Sequence, residues 1–199
     1  MAKRSVFIVG DNRIKTINIE FEWNGGFALS QSRKNIIELH NEYRRIYDNN
    51  AKLLEVSSKS EDELGVRLSA FNLLMYVSSL NKSVPVECVF QAGKVFENGG
   101  PYLDLLEKSP RDAKRDDRLG NSGKLLAFEF EGERFPLEPK TYFYDYIYIK
   151  ALKENPELAD RLLEYDGFTD IVFNPEKSIN CQAKACAKYV AERKKRWII

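Results

Sequence analysis

The chain has 199 residues, 43% of them hydrophobic and 31% charged, with a formal net charge of +1. That length suits one sizeable core, and the near-neutral charge offers no global field to steer a nucleic-acid duplex, so any such contact is local. No apolar run approaches the ~18 residues of a membrane span, and three cysteines without a CxxC spacing beside a single histidine argue against a zinc site and for a reducing cytoplasm.

Ser5–Val9 and Thr16–Trp23 are rich in β-branched and aromatic residues and predict two strands around a turn at Gly10-Asp11-Asn12. The start of the chain reads as a strand, not a signal peptide. Residues 33–47 predict an amphipathic helix capped by Ser30 or Ser32. His40 shares its apolar face with Ile36, Leu39, Tyr43 and Tyr47, so it reads as a packing residue and removes Ser-His and Cys-His relays. Lys52–Ser57 predicts a short strand, followed by a polar loop over 58–65. Val66–Val77 begins loop-like, with Phe71 and Asn72 in its irregular part, and ends as a buried strand.

A central helix is then predicted from 84 to 97, with Ser83 as cap, Pro85 in its first turn and Asn98-Gly99-Gly100 as terminator. Beyond it lie a short helix over 101–107 and a helix with Ser109 as cap and Pro110 at its first position. A loop over 116–123 leads to a hairpin of Leu125–Glu131 and Glu133–Leu137 around Gly132. The aromatic segment Thr141–Leu152 predicts a helix that continues to Glu154, and Glu157–Tyr165 predicts another. Phe168–Phe173 reads as a strand and 179–195 as a last helix capped by Ser178. The basic run Arg193-Lys194-Lys195-Arg196 falls at its end, where cations favour the helix dipole.

The central helix carries the chemistry. Glu87, Gln91 and Lys94 stand at i, i+4 and i+7, within roughly 60° of one another on a helix of 3.6 residues per turn. Val86, Cys88, Val89, Phe90, Ala92, Val95 and Phe96 cover most other directions, the pattern of a buried helix with one polar stripe. Buried Glu and Lys need either partner charges on another element or a wet cavity, and the pattern admits both. In a cavity, a carboxylate can serve as acid/base and an amine as nucleophile.

Three blocks resemble the NADAR, or YbiA-like, family: Leu68-Ser-Ala-Phe71, Val86-Glu-Cys-Val-Phe-Gln-Ala-Gly-Lys-Val-Phe96 and Ser109-Pro-Arg-Asp-Ala-Lys114. Asn155-Pro-Glu-Leu158 through Asp170 and Phe173 is similar to a fourth stretch of that family. The blocks cover roughly 66–190, and residues 1–65 resemble the extension of NADAR antitoxins paired with DarT-type toxins, which attach ADP-ribose to DNA bases. The resemblance implies an α+β fold in one domain over 1–199: a mainly helical core with small antiparallel sheets, and an N-terminal strand-strand-helix extension.

It also implies a glycohydrolase acting on ADP-ribosylated guanine in DNA, with ADP-ribosylated DNA and a DarT-type toxin as partners; no feature of the sequence requires a metal or redox cofactor. Lys94 would be the Schiff-base amine and Glu87 the acid/base. Asp170 matches the family aspartate that would order the lysine or the ribose; a strand-end aspartate facing water is the plainer reading. Gln91 would bond a ribose hydroxyl or a base edge, and Ser69, Phe71, Asn72 and Phe90 would complete the substrate site. Phe173 stands where the family has tryptophan, and Ala70 where it has asparagine. Asn180 and Gln182 resemble the polar start of the family's last helix, whose amides suit a phosphate; simple capping of the helix is the equal alternative. Arg111, Lys114 and Arg115 read either as DNA phosphate contacts or as a solvated face. An N-glycosidase on a riboflavin-pathway intermediate and a non-catalytic antitoxin that binds ADP-ribose or toxin are the alternatives.

Overall fold

A computed structural model describes residues 1–10, 13–176 and 178–196, the last without its side chain. Asp11 and Asn12 of the expected first turn, and the Arg196 side chain of the basic run, lie outside the described residues. The elements in chain order begin with β1 (Ala2–Gly10), β2 (Arg13–Phe21), α1 (Leu29–Ile46), β3 (Leu53–Glu55) and α2 (Glu63–Arg67). Next come β4 (Leu74–Val77), β5 (Lys82–Pro85), α3 (Val86–Ala92), β6 (Lys94–Phe96), α4 (Pro110–Lys114) and α5 (Arg118–Asn121). The chain continues through β7 (Leu125–Phe130), β8 (Glu133–Phe135), α6 (Tyr142–Glu154), α7 (Pro156–Ala159), β9 (Gly167–Thr169) and α8 (Gln182–Arg196). Short 3-10 turns occupy Ser78–Leu80, Leu103–Glu107 and Asp160–Glu164. The class is α+β, as expected. Two compact units form, one from Met1–Ser69 with Pro156–Ile199, the other from Ala70–Asn155.

The first unit is built on a four-stranded sheet in the order β2-β1-β9-β3. β1 and β2 pair antiparallel from Ala2↔Phe21 to Gly10↔Arg13. β9 is antiparallel to β1 but parallel to β3, with Leu54↔Phe168, so the sheet is mixed. Val6, Ile19, Phe21, Ile36, Leu39, Tyr43 and Leu53 form its core beneath α1, each fully buried aliphatic or phenyl side chain contributing roughly 1.5–3 kcal/mol. α1 begins at Leu29, ahead of the expected Ser30 or Ser32 cap, because Ala28 takes the cap position without a side-chain bond. The entry is fixed instead by buried Asn35, whose Oδ1 accepts from the Asn24 backbone N–H at 2.7 Å and whose Nδ2 donates to the Asn24 carbonyl at 3.0 Å. The polar loop expected over 58–65 closes into α2, where Asp62 caps by accepting from Leu64 N–H.

The strand expected over 168–173 stops at Thr169 because Asp170 Oδ1 accepts from the N–H groups of Val172 and Phe173, at 3.0 and 3.2 Å, and turns the chain. The last helix starts at Gln182, so Ser178 does not cap it and Asn180 precedes it.

The second unit combines the β4-β5 hairpin with a three-stranded sheet in the order β6-β7-β8. α6 buries Phe143, Ile147, Tyr148 and Ala151 and packs against α3 and β4. Phe128 stacks on Phe143 with centroids 4.6 Å apart, and Phe135 meets Phe143 at 5.0 Å.

The central helix is shorter than its periodicity predicts. Ser83 is paired with Tyr76 in the hairpin and cannot cap; Pro85 takes the cap position. The first helical N–H groups are satisfied by backbone instead, Val86 donating to Leu73 and Glu87 to Ala70, both at 2.9 Å. At the other end a Cβ on Gly93 would lie 2.9 Å from the Glu129 carbonyl oxygen and 3.0 Å from Phe143 Cζ. Only glycine fits there, and the Gly93 carbonyl accepts from Glu129 N–H at 2.7 Å. The chain therefore leaves α3 for the sheet, and Lys94 sits on a strand opposite Phe128.

Candidate functional site

Shortening the helix separates Lys94 from the stripe but keeps Glu87 and Gln91 one turn apart on α3. Both are buried, at 6% and 5% exposure. Gln91 Nε2 donates to Glu87 Oε1 at 2.8 Å. The same carboxylate oxygen lies 3.7 Å from the ammonium of Lys114, whose side chain is 58% exposed against 7% for Glu87. That ammonium also lies 5.4 Å above the Phe71 ring. Lys114 reaches Glu87 because Ser109 caps α4 by accepting from Asp112 N–H, Pro110 occupies its first turn, and buried Ala113 packs the helix near α3. Glu87 is thus held by an amide donor and an ammonium.

Lys94 is half-buried on β6, its Nζ 5.0 Å above the Phe90 ring. Burial lowers its amine below the ordinary lysine range; Lys114 acts in the same direction and Glu87 opposes it. A lysine desolvated among aromatic rings and beside a second cation has a larger neutral fraction and is a better nucleophile. Its backbone is fixed on both sides. Gly93 precedes it, and Gly100, at φ +85°, approaches so closely that a Cβ would lie 2.2 Å from the Lys94 carbonyl oxygen. Cys88, on the same helix as Glu87, is a buried thiol pushed up to about 11 by burial and by that carboxylate. It is inert beside the amine. A groove of about 430 Å³ elsewhere in this unit, lined by Val77, Ser78, Leu103, Leu106, Phe130 and Glu131, holds none of these side chains.

The first unit contains a separate buried acidic cluster. Glu55 Oε1 accepts from Ile171 N–H at 2.8 Å and from the Ser57 hydroxyl at 2.7 Å, and its Oε2 accepts from the Thr169 hydroxyl at 2.7 Å. With that hydroxyl proton committed, His40 Nε2–H donates to Thr169 Oγ1, 2.8 Å away. Burial and Arg44 push His40 down to about 3, so the imidazole is neutral. Asp170 is 8% exposed, and burial with the nearby Glu55 charge pushes it up to about 7 against the bonds from Val172, Phe173 and Gln182. Burial raises Glu55 as well, against the three donors that favour its carboxylate, so both members of the pair are pushed above the ordinary carboxylate range.

A profile of DarT1-associated NADAR antitoxins matches residues 2–198. The chain belongs to that family. No curated protein matches it. In this NADAR antitoxin, Phe71, Asn72, Glu87, Phe90, Gln91 and Lys94 all fall in the unit of residues 70–155, whereas Ser69, Asp170, Phe173 and Asn180 fall in the other. The structure brings Glu87, Gln91, Phe71 and Lys114 into contact and seats Lys94 on Phe90. Asn72 is exposed. Ser69 is buried and its hydroxyl donates to the Val66 carbonyl at 2.8 Å. Phe173 meets Phe7 at 6.3 Å. Asn180 Oδ1 is buried without a hydrogen-bond partner among the described residues.

Two residues were missed. Lys114, read as a DNA phosphate contact or a solvated face, points its ammonium at Glu87; the capped turn Ser109-Pro110 signalled its helix but not its target. Glu55 within the run Leu53-Leu54-Glu55-Val56 carried one signal, a carboxylate in an otherwise apolar strand. Among the described residues no helix is long and apolar enough to cross a membrane.

Proposed function

We propose that this NADAR antitoxin removes ADP-ribose from guanine in DNA by cleaving the N-glycosidic bond, with Glu87 as acid/base and Lys94 as nucleophile, and so reverses the action of a DarT-type toxin. The observation that carries the reading is that one unit holds a half-buried lysine amine seated over the Phe90 ring and a buried carboxylate on the same helix as that ring. The neutral amine of Lys94 attacks the anomeric carbon; the bond to the base breaks, and its electron pair leaves with a proton from Glu87. The attached amine gives up a proton, and opening of the furanose ring, with its oxygen becoming a hydroxyl, leaves a protonated Schiff base. Water adds to that carbon as the Glu87 carboxylate takes its proton, the amine departs, and ADP-ribose is released.

The test is incubation of the purified protein with an oligonucleotide carrying ADP-ribosylated guanine. Release of free ADP-ribose is expected, with Glu87→Gln slower by about 10²–10⁴-fold and Lys94→Ala by a similar factor. Borohydride during turnover should leave a reduced sugar adduct on Lys94, read by peptide mass spectrometry. Full activity in Lys94→Ala would remove the amine mechanism. Equal protection of toxin-expressing cells by the parent and by Glu87→Ala would assign neutralisation to binding rather than chemistry.

A further inference from the structure

Arg111, Lys114 and Arg115 stand at i, i+3 and i+4, within roughly 100° of one another on a helix of 3.6 residues per turn. Ala113, buried where α4 packs near α3, takes the opposite side. Lys114 turns inward to Glu87 at 3.7 Å. Arg111 and Arg115 are exposed and form no ion pair and no side-chain hydrogen bond among the described residues. The neighbouring cations differ: Lys108 and Arg118 are both spent on Asp104 and Asp116, and Lys82 on Glu107. Asp112, the carboxylate on α4 itself, lies to one side and accepts from the Ser109 hydroxyl at 2.6 Å. The ridge is therefore cationic in a chain whose net charge is only +1.

An exposed arginine is stable in water without a partner, so its place is what bears on function. The Lys114 contact and the burial of Ala113 fix α4 beside the carboxylate that donates to the leaving base. A base seated at Glu87 is still joined to its strand, and the phosphates on either side of it must cross the rim of the site. Arg111 and Arg115 are about 6 Å apart along the helix axis, and phosphates of one strand rise about 3.4 Å per nucleotide, so the two guanidinium groups reach separate phosphates. We infer that Arg111 and Arg115 bind backbone phosphates flanking the ADP-ribosylated base, and that they make the protein prefer an adduct within a DNA strand to the isolated nucleoside. This rests on the reading of Glu87 and Lys94 given above. Phosphate contacts position without reading sequence, so the ridge selects strand over nucleoside and is indifferent to the neighbouring bases.

Steady-state kinetics on an oligonucleotide carrying ADP-ribosylated guanine and on ADP-ribosylated 2′-deoxyguanosine test the assignment. On the oligonucleotide, Arg111→Gln combined with Arg115→Gln should raise KM about 5- to 20-fold with kcat unchanged, and should lower the slope of log KM against log salt by about 1.5, at roughly 0.7–0.9 for each phosphate released. The nucleoside should be cleaved equally by parent and variant, which also shows that the variant is folded. Lysine at both positions should restore most of the oligonucleotide KM, since a phosphate accepts a point charge. An unchanged KM and salt slope on the oligonucleotide overturns the assignment. An equal loss on the nucleoside overturns it as well, placing the arginines on the pyrophosphate of ADP-ribose. Lost protection of toxin-expressing cells with unchanged oligonucleotide kinetics moves the ridge to a protein partner and likewise overturns it. If the parent cleaves both substrates and the variant matches it, only the ridge falls; if the parent cleaves neither, both readings fall.

Discussion

Lys114 pairs with the Glu87 carboxylate while Lys94 sits over Phe90, and the two amines have different environments. Lys114 is mostly exposed and pairs with Glu87, whereas Lys94 is half-buried and depressed by burial with help from Lys114. Removing the second cation should therefore raise the Lys94 pKa and shrink its neutral fraction near neutrality. Lys114→Met is expected to slow cleavage about three- to tenfold at pH 7 and to recover as pH rises, while Lys114→Arg keeps the parent profile. The pH–rate curve checks it; a uniform loss at all pH values would give Lys114 a purely structural role. The buried acid of the other unit leaves its mark on stability. Asp170 binds its proton more tightly folded than unfolded, so its contribution is fully present below the ordinary carboxylate range and is lost as pH rises toward about 7. His40 works in the opposite sense, its folded pKa of about 3 withdrawing stability as pH falls below the ordinary histidine value. Asp170→Asn should gain about 2 kcal/mol relative to the parent between pH 5 and pH 8, read from urea midpoints at the two values.

The passage from α3 to β6 turns on Gly93. Alanine there would bring a methyl group within 3.0 Å of the Glu129 carbonyl and the Phe143 ring, and backbone cannot yield as a flexible side chain can. Gly93→Ala is expected to lose about 1–3 kcal/mol in chemical unfolding and to lower cleavage by displacing Lys94; an unchanged midpoint would refute the close contact. This glycine also shows what the sequence displays and what it hides. Ser109-Pro110 was readable as a helix start because cap and proline act within one turn. The hairpin around Gly132, at φ +81°, was readable because the left-handed position declares itself locally. The end of α3 was not, since Val95 and Phe96 continue the apolar rhythm, and the atoms that stop the helix belong to β7 and α6. Ser83 misled likewise: a serine before a proline suits a cap, but its backbone pairs with Tyr76. Glu87, Gln91 and Lys94 were identified as polar groups in an apolar segment; that Lys94 reaches its place from a strand depends on contacts distant in sequence.

The first unit is assembled from two separate stretches of chain, and its sheet places β9 between β1 and β3. Deleting residues 1–65 would strip β9 of both neighbours. The truncated protein should lose the cooperative transition of that unit and expose Pro156–Ile199 to rapid proteolysis, as circular dichroism and limited trypsin digestion would show. A single transition unchanged by the deletion would contradict this. The same strand order has a bearing on synthesis. Met1–Ser69 emerges from the ribosome first, yet its sheet remains open until Gly167–Thr169 follows, while Ala70–Asn155 is already available as a contiguous segment. The acidic cluster around Glu55 then waits for Thr169 and Ile171, and a chain stopped ahead of those residues lacks it, however much of the lysine-bearing unit has been made.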